Sequence, residues 1–366
     1  MGVTQGAVLC VQLENAEPSP VILVQTRDSI YRQYYYTSGE YYNASIKVIA
    51  EYEENDHNQR TMISSTHLDY AQYHSDKLTG IDNDSVTTDK VGNITAIGSR
   101  HFSWTNLRQL ESITEGTDEY SYTYDENGIR TSKTVNGSKT DFYTNDGNII
   151  VQTDGTNTWC FQYEGDEVIG FLYNDDQYFY IKNQMGDVIG IINYDGDIIA
   201  DYCYDDFGGI YAVDKPNTNT STENTIADTN PMLYRGYYYD YESGYYYLQS
   251  RYYDPAISRF ISADSPDMMF TVKDEAYGGA NSYSYCCNDP VNNYDPDGCY
   301  NRNNAVKYAY KWWLVPNINR FYYYDSGDCT NFVSQCLYAG GISMTDEWYG
   351  HYITYRRPIR WMCSNS

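Results

Sequence analysis

Cys329 stands in the surroundings of a nucleophile. It follows Gly327-Asp328 and opens an apolar run, Phe332, Val333, Cys336 and Leu337, at helical spacing. That pattern places its sulfur at a helix N-terminus, where the helix dipole favours the thiolate. A thiolate so placed is an acyl-transfer nucleophile, with the Cys329 amide and the Gln335 side chain as expected oxyanion donors. Cys336, seven residues on and on the same face, reads as a buried structural thiol, and Trp312, Trp313 and Phe332 read as core. The base is harder to assign. After Cys329 the sequence offers only His351, within Gly350-His351-Tyr352, which reads as a surface or satisfied histidine. Such chemistry requires no metal and no cofactor. Neither Cys286-Cys287 nor Cys10, Cys160 and Cys203 has metal-ligand spacing with a His nearby.

The elements that would carry these residues are mainly strands. One turn type recurs: Tyr124-Asp125-Glu126-Asn127-Gly128, Asn145-Asp146-Gly147-Asn148, Glu164-Gly165-Asp166, Met185-Gly186-Asp187 and Tyr194-Asp195-Gly196-Asp197. The glycines at 128, 147, 165 and 186 are 19, 18 and 21 residues apart, and β-rich runs such as Asn148 to Gln152, Thr158 to Tyr163 and Tyr178 to Ile181 lie between them. Asp-Gly and Asn-Asp-Gly supply the positive φ of tight strand-to-strand turns, so the pattern predicts a series of hairpins. An earlier copy is visible at Asp89 to Thr95, followed by the strand-like Arg100 to Trp104. Residues 214–230 are polar without apolar period and read as an exposed loop. Helical patterns are confined to Asn303 to Trp313 and the stretch after Asp328.

Composition agrees with strands and turns. The chain of 366 residues holds Tyr 45 and Gly 27, with aromatics at 17%. A formal net charge of −26 excludes nucleic acid as an expected partner, because phosphate would be repelled. Nine cysteines are too few and too irregular for a disulfide scaffold, and an odd count leaves at least one thiol free. No run reaches transmembrane length, and the N-terminus shows no signal peptide.

Two stretches carry family resemblances. Tyr234 to Asp240, Gly244 to Pro255 with its Arg251-Tyr252-Tyr253-Asp254-Pro255, Ser258 to Asp264, Asn281 to Tyr285 and Asn288 to Gly298 together resemble the RHS repeat-associated core of bacterial YD-repeat proteins. The resemblance implies a strip of hairpins spiralling into a shell: repeats over residues 1–213, the core over 231–298. The core would plug one end of the shell and precede a variable C-terminal toxin or effector. Hairpins with aromatics on one face must stack to bury that face, so the Tyr ladder reads as wall, with carbohydrate or protein binding by exposed Tyr rows as the alternative. In such families the core cleaves itself after Asp-Pro-x-Gly, which implies Asp264 and Asp295 as an acid pair. Cys299 stands where Leu is common and Ser265 where Pro is, and Asp295 also reads as a turn residue beside Pro296.

Tyr300 to Trp313, Asp328-Cys329-Thr330-Asn331-Phe332-Val333-Ser334-Gln335 and Ala339-Gly340-Gly341 resemble an amidase domain of secreted and spore-associated bacterial proteins. That family implies a papain-like Cys-His α+β fold for residues 300–366, with its catalytic His well downstream of the Cys. The 67 residues present hold too few strands to close such a core, so the domain is expected to be incomplete and turnover low. The resemblances imply a secreted or cell-wall-associated toxin that hydrolyses amide bonds, with peptidoglycan or protein as substrate and an immunity protein as partner. A non-catalytic surface protein and a scaffold whose only chemistry is self-cleavage are the competing expectations.

Overall fold

The computed structural model describes residues 21–27, 30–36, 46–55, 59–71, 76–106, 108–217, 220–264, 281–288, 290–291, 294–295, 348–352 and 359–363. The chain divides into two compact units, Met1–Val291 and Asn292–Ser366.

The first unit is a long wall and a core. Nineteen described strands, β1 (Val21–Arg27) to β19 (Ile210–Asp214), form one sheet. Each pairs antiparallel with the next in sequence. The mainly β expectation is therefore met, and the expected turn glycines 128, 147, 165, 186 and 196 all have positive φ. A side chain closes several of these turns. Asp125 Oδ1 accepts the amides of Asn127 and Ile129, and Asn183, Asn193 and Asp205 repeat the pattern at their own turns. The aromatic residue just before such a turn reaches back to the wall: the Tyr124 hydroxyl donates to the Leu110 carbonyl at 2.8 Å, and Tyr204 to Val188 at 2.6 Å. Alternation along strands such as β10 (Asp118–Tyr124) and β16 (Asp176–Lys182) then buries one face, and Ile113, Phe171 and Ile191 elsewhere in the sheet are fully covered.

What covers that face is a small antiparallel sheet, β20 (Tyr238–Asp240), β21 (Tyr245–Leu248), β22 (Arg251–Asp254) and β23 (Arg259–Phe260). Its tyrosines explain the composition. The rings pack as large apolar bodies, and several of the hydroxyls satisfy buried wall groups. Tyr246 and Tyr253 donate to the carbonyls of Gly208 and Phe207, Tyr238 donates to Gln152 Oε1, and Tyr247 accepts the Arg130 amide.

One expectation is corrected. Within the stretch read as an exposed polar loop, Ser221–Thr229 forms helix α1. Thr220 and Glu223 make a capping box, each side chain accepting the other's backbone amide at 3.1 Å. Ile226 and Ala227 are fully buried, and Tyr202 donates to the Ala227 carbonyl. Two apolar residues on one short helix make no readable period, so the stretch resembled a loop.

In the second unit the described elements are two paired strands, β24 (Trp348–Tyr352) and β25 (Ile359–Cys363). The helices expected at Asn303 to Trp313 and after Asp328 lie outside the described residues.

Candidate functional site

Of the residues singled out from sequence, Asp264 is the best defined. It lies just past β23, where its amide donates to the Ser282 carbonyl at 2.9 Å. Its carboxylate faces Arg251 Nη2 at 3.3 Å, with the Asp264 side chain 19% exposed. Arg251 stacks over the Phe260 ring at 3.6 Å and also donates to the Ser282 carbonyl, while Arg108 donates to the carbonyls of Ala263 and Asp264. The Phe260 ring and the Ser282 carbonyl thus hold Arg251 against the carboxylate, and Arg108 holds the backbone at Ala263 and Asp264. Asp264 belongs to the first unit, and half-buried Asp295 belongs to the second. Cys329 and Gln335 lie outside the described residues. His351 sits on β24, opposite Arg360 in the strand register.

Sequence reasoning missed the buried carboxylates along the seam between wall and core. Asp240, on β20, is fully buried between Arg130 and Lys133 of β11 (Arg130–Val135), with Lys133 Nζ 3.0 Å from its Oδ1. Burial alone would raise this carboxyl, but the two cations outweigh it and hold it below the usual carboxylate range. The Arg130 guanidinium lies 4.2 Å from the Tyr247 ring centroid, 4.8 Å from Phe142 and 4.9 Å from Tyr238, a cage of aromatic faces. Asp205 accepts a hydrogen bond from Arg32, which also binds Glu51 at 2.8 Å. Burial pushes the Asp205 carboxyl up, against the pull of Arg32. Asp254, at the end of β22, is pushed up to about 6 by burial, with the Ala256 amide and the Arg100 charge opposing. The missed signal was local: an Asp inside a run of strand tyrosines cannot be left unpartnered in a core.

Among the described residues no group of His, Cys, Asp and Glu could hold a metal ion, and no helix is long and apolar enough to cross a membrane.

Comparison with known proteins places this geometry. The family described as "Putative amidase domain" matches residues 299–366. The tRNA3(Ser)-specific nuclease WapA of Bacillus spizizenii is 37% identical over 230 residues, 61% of this chain and 9% of that protein. The toxin protein Tse5 of Pseudomonas aeruginosa is 40% identical over 68 residues, 19% of this chain and 5% of that protein. Among solved structures, TcdB2-TccC3-TEV aligns with a TM-score of 0.55 at 18% identity, over 73% of this chain and 13% of that one. The Photorhabdus luminescens Tc holotoxin pore aligns with a TM-score of 0.53 at 17% identity, over 76% of this chain and 14% of that one. At such identities the structures establish a shared fold, and this chain spans only about a tenth of the nuclease's length.

Proposed function

Since this chain is an RHS-type protein whose C-terminal residues match an amidase domain family, we propose that it is the carrier and effector portion of a secreted or cell-surface toxin. The hairpin wall, of the YD-repeat kind, and the core seated in it are the carrier; the segment after residue 298 is the effector. The observation that carries the proposal is the amidase-family match over residues 299–366, within which Asp328-Cys329-Thr330-Asn331 supplies a thiol. Cys329 attacks an amide carbonyl, its own amide and Gln335 hold the oxyanion, and a histidine takes the thiol proton. Peptidoglycan peptides are the proposed substrate, and an immunity protein the partner that protects the producing cell. The tRNA nuclease activity of the WapA relatives belongs to chains of which this one spans 9%, and a net charge of −26 weighs against a nucleic-acid surface here.

The test is mass spectrometry of peptidoglycan fragments, and of a protein substrate, after incubation with the purified chain. Slow cleavage that needs reduced thiol, disappears in Cys329→Ala and persists in Cys336→Ala is the expected result, in keeping with the low turnover expected from sequence. Cleavage undiminished in Cys329→Ala overturns the assignment, and no cleavage of either substrate leaves a non-catalytic carrier.

The ion pair that fixes Asp264 favours a second reaction, self-cleavage at the end of the core. Water adds across the Gly298–Cys299 peptide bond, giving a carboxylate and an amine, with Asp264 as a carboxyl group that moves the proton.

A further inference from the structure

A cavity of about 310 Å³ opens at the seam, with Arg32, Arg100 and Ile210 on the wall side and Tyr239, Tyr245 and Asp254 on the core side. Its volume is at the lower end of the range for small-ligand sites. Two guanidiniums line it, but both are occupied. Arg32 is bound by Asp205 and Glu51, and Arg100 gives its Nε to Glu115 at 2.8 Å and its Nη1 to the Ser243 carbonyl and Tyr245 hydroxyl, each at 3.2 Å. Asp254 is different. It is 8% exposed, its Oδ1 accepts the Ala256 amide at 2.9 Å, and among the described residues no cation pairs with it. The charged residues that line the cavity are Arg32, Arg100 and Asp254, and carboxylates outside the lining neutralise the two guanidiniums, Asp205 and Glu51 at Arg32 and Glu115 at Arg100.

We propose that this cavity binds a primary alkylammonium group, as a lysine side chain or a free amine, with the Asp254 carboxylate as counter-ion and the Tyr239 and Tyr245 rings along its methylenes. A buried carboxylate without a cation is costly, and a compact ammonium with three donors relieves that cost without needing the planar fork of a guanidinium. Ring faces add to the attraction for a cation. An anion meets guanidiniums already engaged by Asp205, Glu51 and Glu115, and it meets Asp254.

The carboxyl of Asp254 is pushed up to about 6 by burial, so its charge develops across mildly acidic pH. Facing it, Arg100 and Arg32 stay cationic, and burial raises Tyr239 and Tyr245, which stay neutral. Asp205, behind Arg32, is also raised by burial, and substituting Asp254 separates the two. Binding of a cation therefore strengthens as pH rises through about 6, by about tenfold between about pH 5 and about pH 8.

The experiment is calorimetric titration of the full chain at those two pH values with n-butylammonium and N-acetyl-lysine methylamide, with N-acetyl-norleucine methylamide as the uncharged control. Both ammonium compounds are expected to bind more tightly at the higher pH, the control not at all. A tighter lysine compound assigns the site to a protein lysine, and equal affinities assign it to a free amine. Asp254→Asn, which keeps the oxygen that accepts the Ala256 amide, should abolish binding. Absence of heat with both amines, equal affinity at the two pH values in the unaltered chain, or binding retained in Asp254→Asn each overturns the proposal.

Discussion

Arg130 and Asp240 face each other across the seam between wall and core, both side chains wholly buried, one on β11 and the other on β20. A buried pair is a weak source of net stability, but removing one partner leaves an uncompensated charge in a core. Lys133 and the aromatic cage around Arg130 make the pair specific to one seating of the core. Asp240→Ala should therefore lower stability by about 3–5 kcal/mol, whereas the double substitution Arg130→Met with Asp240→Leu should recover much of the loss. Urea denaturation followed by Tyr and Trp fluorescence measures both, and equal losses in the single and double variants would refute this account of the seam.

Gly208 separates backbone strain from close packing. Its φ is +86°, and a Cβ there would lie 2.5 Å from a Tyr234 ring carbon. Gly196 has φ of +90° and open space around it. Gly196→Ala should cost about 1–2 kcal/mol of left-handed strain. Gly208→Ala should cost more, since the core turn at Tyr234 must shift as well. Urea midpoints compare the two, and a smaller loss at Gly208 contradicts the packing described.

Asp254 sets a sign for the pH dependence. Its folded value of about 6 lies above the unfolded carboxylate value, so the folded state binds more protons between them. Its contribution is present in full below about pH 4 and is lost as pH rises through about 6, a difference of about 3 kcal/mol. Asp254→Asn should consequently stabilise the chain at neutral pH relative to acid pH. Thermal denaturation of both proteins across that window checks this, and parallel pH profiles would show that Asp254 does not titrate as stated.

Much of this was legible in sequence. The turn glycines were, because a tight strand-to-strand turn demands positive φ and few residues supply it, as Gly128 and Gly186 illustrate. Helix α1 was not, although Thr220-Ser221-Thr222-Glu223 is a capping-box sequence, because the apolar part of its buried face is only Ile226 and Ala227. The seam was invisible for another reason: Arg130 and Asp240 are 110 residues apart, and only the seating of the core against the wall brings them together. Cys329 lies outside the described residues, so its reading as a nucleophile rests on its immediate neighbours in sequence and stays a proposal.

Self-cleavage has a direct readout in intact mass. The purified chain should accumulate a species ending at Gly298, and Asp264→Asn should remain whole while its melting temperature stays close to that of the unaltered chain. A chain that never shortens, or an Asp264→Asn variant that shortens equally, removes Asp264 from the reaction.

The central claim is that Cys329 is the effector's nucleophile, and the measurement that reaches it most directly is the pH dependence of its alkylation by iodoacetamide, resolved by peptide mass spectrometry against Cys336 in the same chain. An ordinary thiol titrates near about 8.5. The account predicts that Cys329 titrates well below that value and outpaces Cys336 under mildly acidic conditions. A Cys329 that titrates at or above the ordinary value, and reacts no faster than Cys336, would contradict it.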